Sequence, residues 1–270
     1  MTRGHLSTDR ATSVLTEAEA EAEAEAEAEA EAPRRQARNS AAFWTATGRS
    51  RGHEVIHERG FVAVDGGARA GLRVLVQEPD LDPGERAALG ELVRRAAGPV
   101  NVEDPYDATD LSHLPLRSWQ MPVMVRPPAP VAEPSLDVVR ARRAEDLRAA
   151  ERLVIEGFGL TAFEPYRPGE FFPEAFTEQP GVDVFVVSLD GASAGAAVTV
   201  EADGVASHYW VATSPAFRSR GVARAAMLGS LAPLAHLPAT LTASKLGRPL
   251  YESLGYTAAA PSTWWASPTP

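Results

Sequence analysis

The stretch from Val184 to Leu228 constrains the fold more than any other part of the chain. Val184 to Leu189 (VFVVSL), Ala192 to Glu201 and Val205 to Thr213 are three runs suited to strands, separated by Asp190-Gly191 and Asp203-Gly204. An Asp-Gly pair between two such runs favours a tight hairpin, because both residues tolerate left-handed backbone. An antiparallel meander is therefore expected. The third strand does not turn into another hairpin. It runs through Ser214-Pro215-Ala216-Phe217 into Arg218-Ser219-Arg220-Gly221-Val222-Ala223, where a helical run begins. A meander that feeds a helix predicts a mixed, mostly antiparallel sheet flanked by helices, an α/β (α+β) fold.

The turn into that helix is suited to an anion. The first amides of a helix point outward without partners, at the positive end of its dipole. Gly221 and Ala223 leave the backbone open to a ligand, and Arg218 and Arg220 add formal charge. A diphosphate fits such a cradle, the dipole alone contributing about 0.3–1 kcal/mol. The competing reading is a tight turn before an amphipathic helix.

Arg-x-x-Gly-x-Ala between a strand and a helix resembles the pyrophosphate-binding signature of the GNAT superfamily of N-acetyltransferases. Val211 to Gly221 (VATSPAFRSRG) is similar to the family's fourth strand and following loop, and Ala239 to Ser244 to its fifth strand. Leu250 to Tyr256 (LYESLGY) resembles its aliphatic-Tyr-Glu-x-Leu-Gly-aromatic block. The resemblance covers Leu136 to Trp265, about half the chain. It implies acetyl transfer from acetyl-CoA to a primary amine by direct attack in a ternary complex, with no metal. The backbone of Val211, Ala212 and Thr213 would pair with pantetheine. Arg218, Ser219, Arg220, Gly221, Val222 and Ala223 would hold the diphosphate. Ser244 stands where the family usually has an asparagine that touches the coenzyme. Tyr251 matches the general-acid tyrosine. For the base, Glu201 and His208 are candidates, and a water relay is equally open. A small molecule, a peptide N-terminus or a protein lysine all fit as acceptor. The alternative is a module that binds acetyl-CoA as a sensor without turnover.

Upstream, Gly60 to Val64 and Leu72 to Gln77 read as strands, Pro83 to Ala97 as a helix, and Val100 to Val102 and Pro122 to Arg126 as further strands. The order strand, Pro, loop, helix from Leu72 to Leu92 echoes Tyr209 to Leu228, which suggests a degenerate copy of the same fold. Its cradle is gone, because Asp80, Asp82 and Glu85 stand where glycine and arginine would be needed. Pro127 to Pro134 (PPAPVAEP) reads as a stiff linker. The expected division is an acidic low-complexity tail at 1–38, a GNAT-like or other α/β lobe at 39–126, a linker at 127–134 and the acetyltransferase-like lobe at 135–270. Asn39 to Thr45 is expected to begin a helix, capped by Asn39 or Ser40. Pro233 should kink or stop the helix that follows the cradle.

Composition excludes several classes. The net charge is -10, but eight glutamates lie in the Glu-Ala alternation from Glu17 to Ala32, which leaves the rest near neutral at -2. Nothing suggests a phosphate-backbone binder, so no nucleic-acid partner is expected. The Glu-Ala run combines good helix formers with no apolar stripe, and it reads as a solvated, disordered tail. Cysteine is absent, which removes disulfides and thiolate chemistry. No apolar run is long enough to span a bilayer and no signal-peptide layout is present, so a cytoplasmic location without a membrane partner is expected. His5, His53, His57, His113 and His236 lack metal-ligand spacing. Gly66, Gly67 and Gly71 read as a hairpin turn. Phe171, Phe172 and Phe176 either line an acceptor pocket or fix a long loop. No Gly-x-Ser-x-Gly elbow and no Gly-x-Gly-x-x-Gly fingerprint is found.

Overall fold

The computed structural model describes residues 17–268, with side chains from residue 30 on. The part of the expected tail before residue 17 lies outside the described residues. Helix α1 (Glu17–Arg51) opens the chain. It is followed by β1 (Glu54–His57), β2 (Phe61–Asp65), α2 (Gly67–Ala70), β3 (Leu72–Val76), α3 (Pro83–Arg95), β4 (Val100–Asp104) and β5 (Arg117–Arg126). The second half holds β6 (Asp137–Arg140), α4 (Ala144–Phe158), α5 (Glu174–Thr177), β7 (Val182–Leu189), β8 (Ala192–Ala202) and β9 (Val205–Thr213). It ends with α6 (Val222–Leu231), β10 (Ala239–Thr242), α7 (Arg248–Glu252) and β11 (Thr257–Ala266).

The strands form one eleven-stranded sheet in the order β1-β2-β3-β4-β11-β5-β10-β9-β8-β7-β6. All pairs are antiparallel except β3 with β4 and β9 with β10. Each parallel pair encloses a helix, α3 in the first half and α6 in the second. The closing strands are exchanged. The last strand of the second half, β11, lies against β4, while β5 of the first half lies against β10. The two exchanged strands pair with each other from Thr257↔Val125 to Ala266↔Arg117. The halves are thus joined through the middle of the sheet.

Strand alternation sorts the helices onto two faces. Val184, Val186, Ala196 and Val198 pack under α4 together with Phe43 and Ala46 of α1. The intervening Val187 and Ala197 pack under Val222, Ala225 and Ala226 of α6. In the first half, Phe61, Ala63, Val74 and Val102 pack under α3.

Helix α1 does not start at Asn39. Glu and Ala are strong helix formers, and the helix runs from Glu17 through Pro33, across the expected boundary at 38/39. Ala32 is the first fully buried side chain among those described. Asn39 is a buried anchor rather than a cap. Its amide donates to the carbonyls of Val200 (3.2 Å) and Val205 (2.9 Å), and its oxygen accepts from Tyr209 Oη (2.9 Å). The next residue, Ser40, and Trp44 one turn further donate through Oγ and Nε1 to Glu103 of β4 at 2.6 and 3.1 Å, and Arg73 Nη1 of β3 completes the carboxylate at 3.0 Å. The helix therefore bonds to both halves. The 127–134 segment is held by Arg126, which donates to the carbonyls of Ala129 (3.0 Å) and Pro130 (3.2 Å).

Candidate functional site

The site grows from an opening between β9 and β10. These parallel strands pair only at Ala239↔Ala206 and Thr240↔Ser207. Beyond that point β9 continues to Thr213 while β10 stops at Thr242. The β10-facing edge of β9 is left without a strand neighbour, and Val211, Ala212 and Thr213 lie on this open stretch. A bulge marks where the opening begins. On β8, Ala196 opposes Ala212 but Val198 opposes Tyr209, and Trp210 takes a positive φ of 52°. Such a bulge bends a strand and increases its twist. Gly195 on β8 is needed for close packing here, since a Cβ would collide with Val222 Cγ1 and sit 2.9 Å from the Ala212 carbonyl.

The loop after β9 ends at the start of α6. Pro215–Phe217 is a single 3₁₀ turn. Ser219 and Gly221 both have positive φ (60° and 79°), and Gly221 is the helix N-cap with no side-chain cap. Ala225 N is the first amide to find a backbone acceptor, Gly221 O at 2.9 Å. The amides from Ser219 through Arg224 have no acceptor among the described residues. Six successive backbone donors are thus left without a backbone acceptor at the positive end of a helix dipole. The glycine is required here by its φ rather than by crowding, because a Cβ at Gly221 would meet nothing. Arg218 points into solvent. Arg220 pairs with Asp190 at 2.7 Å, but both are exposed, so the pair contributes little to stability. The helix passes into a 3₁₀ turn at Ala232–Leu234, where Pro233 lies, as expected.

Across the opening stand Ser244 and α7. Ser244 is exposed, and its Oγ accepts from Gly247 N at 3.1 Å. Tyr251 on α7 is half-buried beside Tyr256, with ring centroids 6.1 Å apart. Burial pushes its phenol above the usual tyrosine range, so the hydroxyl keeps its proton at neutral pH. Arg224 Nη1 of α6 donates to Ser253 Oγ at 2.8 Å, which ties α6 to the end of α7.

The two candidate bases lie elsewhere. His208 is sealed between β9 and α6, its Nε2 3.0 Å from Ser230 Oγ. Ser230 Oγ donates to Ala226 O at 2.6 Å, so it accepts from the imidazole. Burial drives the His208 pKa down to about 3, which leaves a weak base with no route to substrate. Glu201 is exposed at the hairpin end of β8, paired with Ala206, at the opposite end of β9 from Thr213. Val211 and Tyr251 pack against one core cluster, and Arg224 ties α6 to the end of α7; Glu201 lies at the other end of β9 and His208 is buried against α6.

Of the wall on the α1 side of the bulge, sequence reasoning offered only Phe171. Trp210 meets Trp44 (6.0 Å between ring centroids), Phe158 (4.9 Å) and Phe171 (5.4 Å), all edge-on. Phe172 and Phe176 are stacked in the core at 5.1 Å and fix the loop instead. That loop is hung on Glu151, a fully buried carboxylate. It accepts from the amides of Gly169, Phe171 and Phe172 at 2.9, 2.7 and 3.0 Å, from Tyr166 Oη at 2.7 Å and from Arg148 Nη1 at 2.9 Å. The only sequence signal was the density of aromatic residues between Phe158 and Phe176. A bulge at Trp210 has no signature in the residues themselves.

A parallel strand pair that opens at a bulge, with a bare helix N-terminus beside it, is the architecture of an acetyltransferase-type fold. Residues 131–236 match the family model described as the acetyltransferase (GNAT) domain. Among solved structures, the chain is similar to a GCN5-related N-acetyltransferase from Kribbella flavida, at 18% identity and a TM-score of 0.56, over 85% of this chain and 96% of that one. It is similar to a putative GNAT-family acetyltransferase from Novosphingobium aromaticivorans, at 20% identity and a TM-score of 0.52, over 80% and 92%. A tandem GNAT protein from the clavulanic acid biosynthesis pathway aligns at 16% identity and a TM-score of 0.50, over 80% and 83%. At these identities the likeness is one of fold. No curated protein sequence matches the chain. Among the described residues no helix is long and apolar enough to cross a membrane.

Proposed function

We propose that the chain is an acetyl-CoA-dependent N-acetyltransferase whose working site lies between β9 and β10, with a primary amine as acceptor. The observation that carries this reading is the row of unpartnered amides from Ser219 to Arg224 beside the open edge of β9. The amides suit the diphosphate, and Arg218 adds charge at the mouth. The free edge at Val211, Ala212 and Thr213 suits the amides of pantetheine, as an added strand would. Acetyl-CoA supplies the activated thioester. Tyr251 holds a proton for the departing sulfur, and its raised pKa favours the protonated form. Neither His208 nor Glu201 is placed to take the amine proton, which leaves a water relay for that step. The β1–β4 lobe completes the wall through α1 and closes the sheet through β5. We read 39–126 and 135–270 as the two lobes, joined by 127–134.

Calorimetric titration of the full chain with acetyl-CoA, followed by thiol release with a panel of amines, tests the reading. Binding and amine-dependent release are expected. Binding without release from any amine would leave a coenzyme-binding sensor. No binding would remove the cradle altogether.

A further inference from the structure

On the first-lobe side of the aromatic wall lies a cavity of about 40 Å³, space for roughly three waters. Trp44, Thr47, Arg51, His53, Arg73 and Asn101 contribute to its lining, and no carboxylate does. Two guanidinium groups join it to the wall. Arg73 lies 4.1 Å over the Trp44 ring and Arg51 4.3 Å over the Phe171 ring, and both rings touch Trp210 at the bulge. The cavity is therefore within two ring contacts of the point where β9 opens.

The donors there are in excess. Arg73 spends Nη1 on Glu103, and Arg51 spends Nε and Nη2 on the Phe171 carbonyl at 2.9 and 2.6 Å. Arg73 Nε and Nη2 and Arg51 Nη1 have no acceptor among the described residues. Burial lowers the pKa of both arginines, Arg51 to about 9. Arg73 is paired with Glu103, and Glu151 and Glu170 act on Arg51, but no carboxylate lines the cavity itself, so the spare guanidinium donors there favour an anionic guest held by charge-assisted hydrogen bonds.

We propose that this cavity receives a carboxylate carried by the acceptor, so that the substrate is a small amine of amino-acid type, anchored by Arg51 and Arg73 with its nitrogen at the Trp210 bulge. The inference rests on the acetyltransferase reading above and adds the substrate class. Arginines from α1 and β3 would then give the first lobe a direct part in choosing the acceptor.

The test uses the full chain with coenzyme A bound and matched probes: 4-aminobutyrate against 4-aminobutanamide, and lysine against lysinamide. Binding is read by tryptophan fluorescence and calorimetry, and transfer by thiol release from acetyl-CoA. The acids are expected to bind at least about tenfold more tightly than the amides. Arg73→Gln and Arg51→Gln should each raise KM for the acids several-fold more than KM for the amides. Arg73→Lys should restore part of the preference, which a purely structural role for Arg73 would not predict. Equal binding of acid and amide, or variants that weaken both alike, would overturn the proposal. Tighter binding of O-phosphoethanolamine than of any carboxylate would also overturn it. Preferential binding of the acids without thiol release would uphold the anion pocket and remove the transfer reading. Acetylation of acids and amides without preference would do the reverse.

Discussion

The molecule contains the same unit twice, a strand, a helix and a parallel strand, and the two copies have opposite ends. In the first copy β3 and β4 stay paired over four positions, from Leu72↔Val100 to Leu75↔Glu103. Helix α3 then begins inside a closed box. Asp82 accepts from Glu85 N at 2.9 Å, and Glu85 accepts from Asp82 N and Gly60 N at the same distance. Two carboxylates occupy the place where an anion would sit. In the second copy the strands part after two positions and α6 begins on a bare glycine. The tyrosines differ in the same sense. After β4, Tyr106 donates to the Gln77 carbonyl at 2.8 Å, whereas only burial acts on Tyr251 after β10. One copy spends its backbone donors on its own stability and the other leaves them for a ligand.

The largest difference is expected at the tyrosines. Tyr251→Phe should lower kcat by about 10²–10⁴-fold, the usual contribution of a positioned acid, with acetyl-CoA affinity unchanged by calorimetry. Tyr106→Phe should leave kcat alone and reduce stability by about 1 kcal/mol, one hydrogen bond. If Tyr251→Phe turns over like the parent, the proton comes from water and the two tyrosines are alike.

The charges of the helix ends can be exchanged. Gly221→Asp with Arg224→Glu puts the acids of the Asp82/Glu85 box at the same two positions of α6; the φ of 79° at Gly221 is not the extended backbone of Asp82, so the pair acts through charge, adding two negative charges and removing one positive. Coenzyme affinity should fall by about a hundredfold or more, since one pair of like charges 4 Å apart near a surface costs about 4 kcal/mol. Unchanged affinity in a folded double variant would mean that the diphosphate lies elsewhere.

The contrast between these helix ends was legible in the sequence. Asp82 and Glu85 were acidic where a cradle needs glycine and cations, and the Arg-Ser-Arg-Gly-Val-Ala run stood out. Local chemistry decides a cap, and a cap is written in a few adjacent residues. The hairpins at Asp190-Gly191 and Asp203-Gly204 were legible for the same reason. The exchange of β5 and β11 was not, because strands with similar apolar faces fit either neighbour and pairing partners are set by the whole sheet. The Trp210 bulge and the meeting of Trp44, Arg51 and Arg73 beside it depend on contacts between residues far apart in the chain. The start of α1 was misplaced because Asn39 looks like a cap until its partners on β8 and β9 are known.

His208 has no counterpart in the first copy and gives a pH test. Its folded pKa, about 3, is below the unfolded value of about 6.5. The unfolded chain therefore binds the extra proton first, and stability is lost as pH falls from 6.5 toward 3. Between pH 7 and pH 5 the loss should be on the order of 2 kcal/mol, measured by denaturant titration. His208→Gln should flatten this limb without moving the acid limb of the rate profile. A shift of that rate limb would return His208 to the catalytic path.

The smallest expected effect isolates the first helix end. Asp82→Ala removes the side chain that accepts from Glu85 N and leaves the rest of the box in place. Loss of such a cap should lower the denaturant midpoint slightly. Asp82 is exposed, so no cavity adds to that loss. Because α3 connects β3 to β4 and α6 connects β9 to β10, with the exchanged strands β11 and β5 between the two pairs, acetyl-CoA affinity should not move. A coenzyme effect at Asp82 would show that the two helix ends are coupled through the exchanged strands, and the division between a stabilising copy and a binding copy would fail.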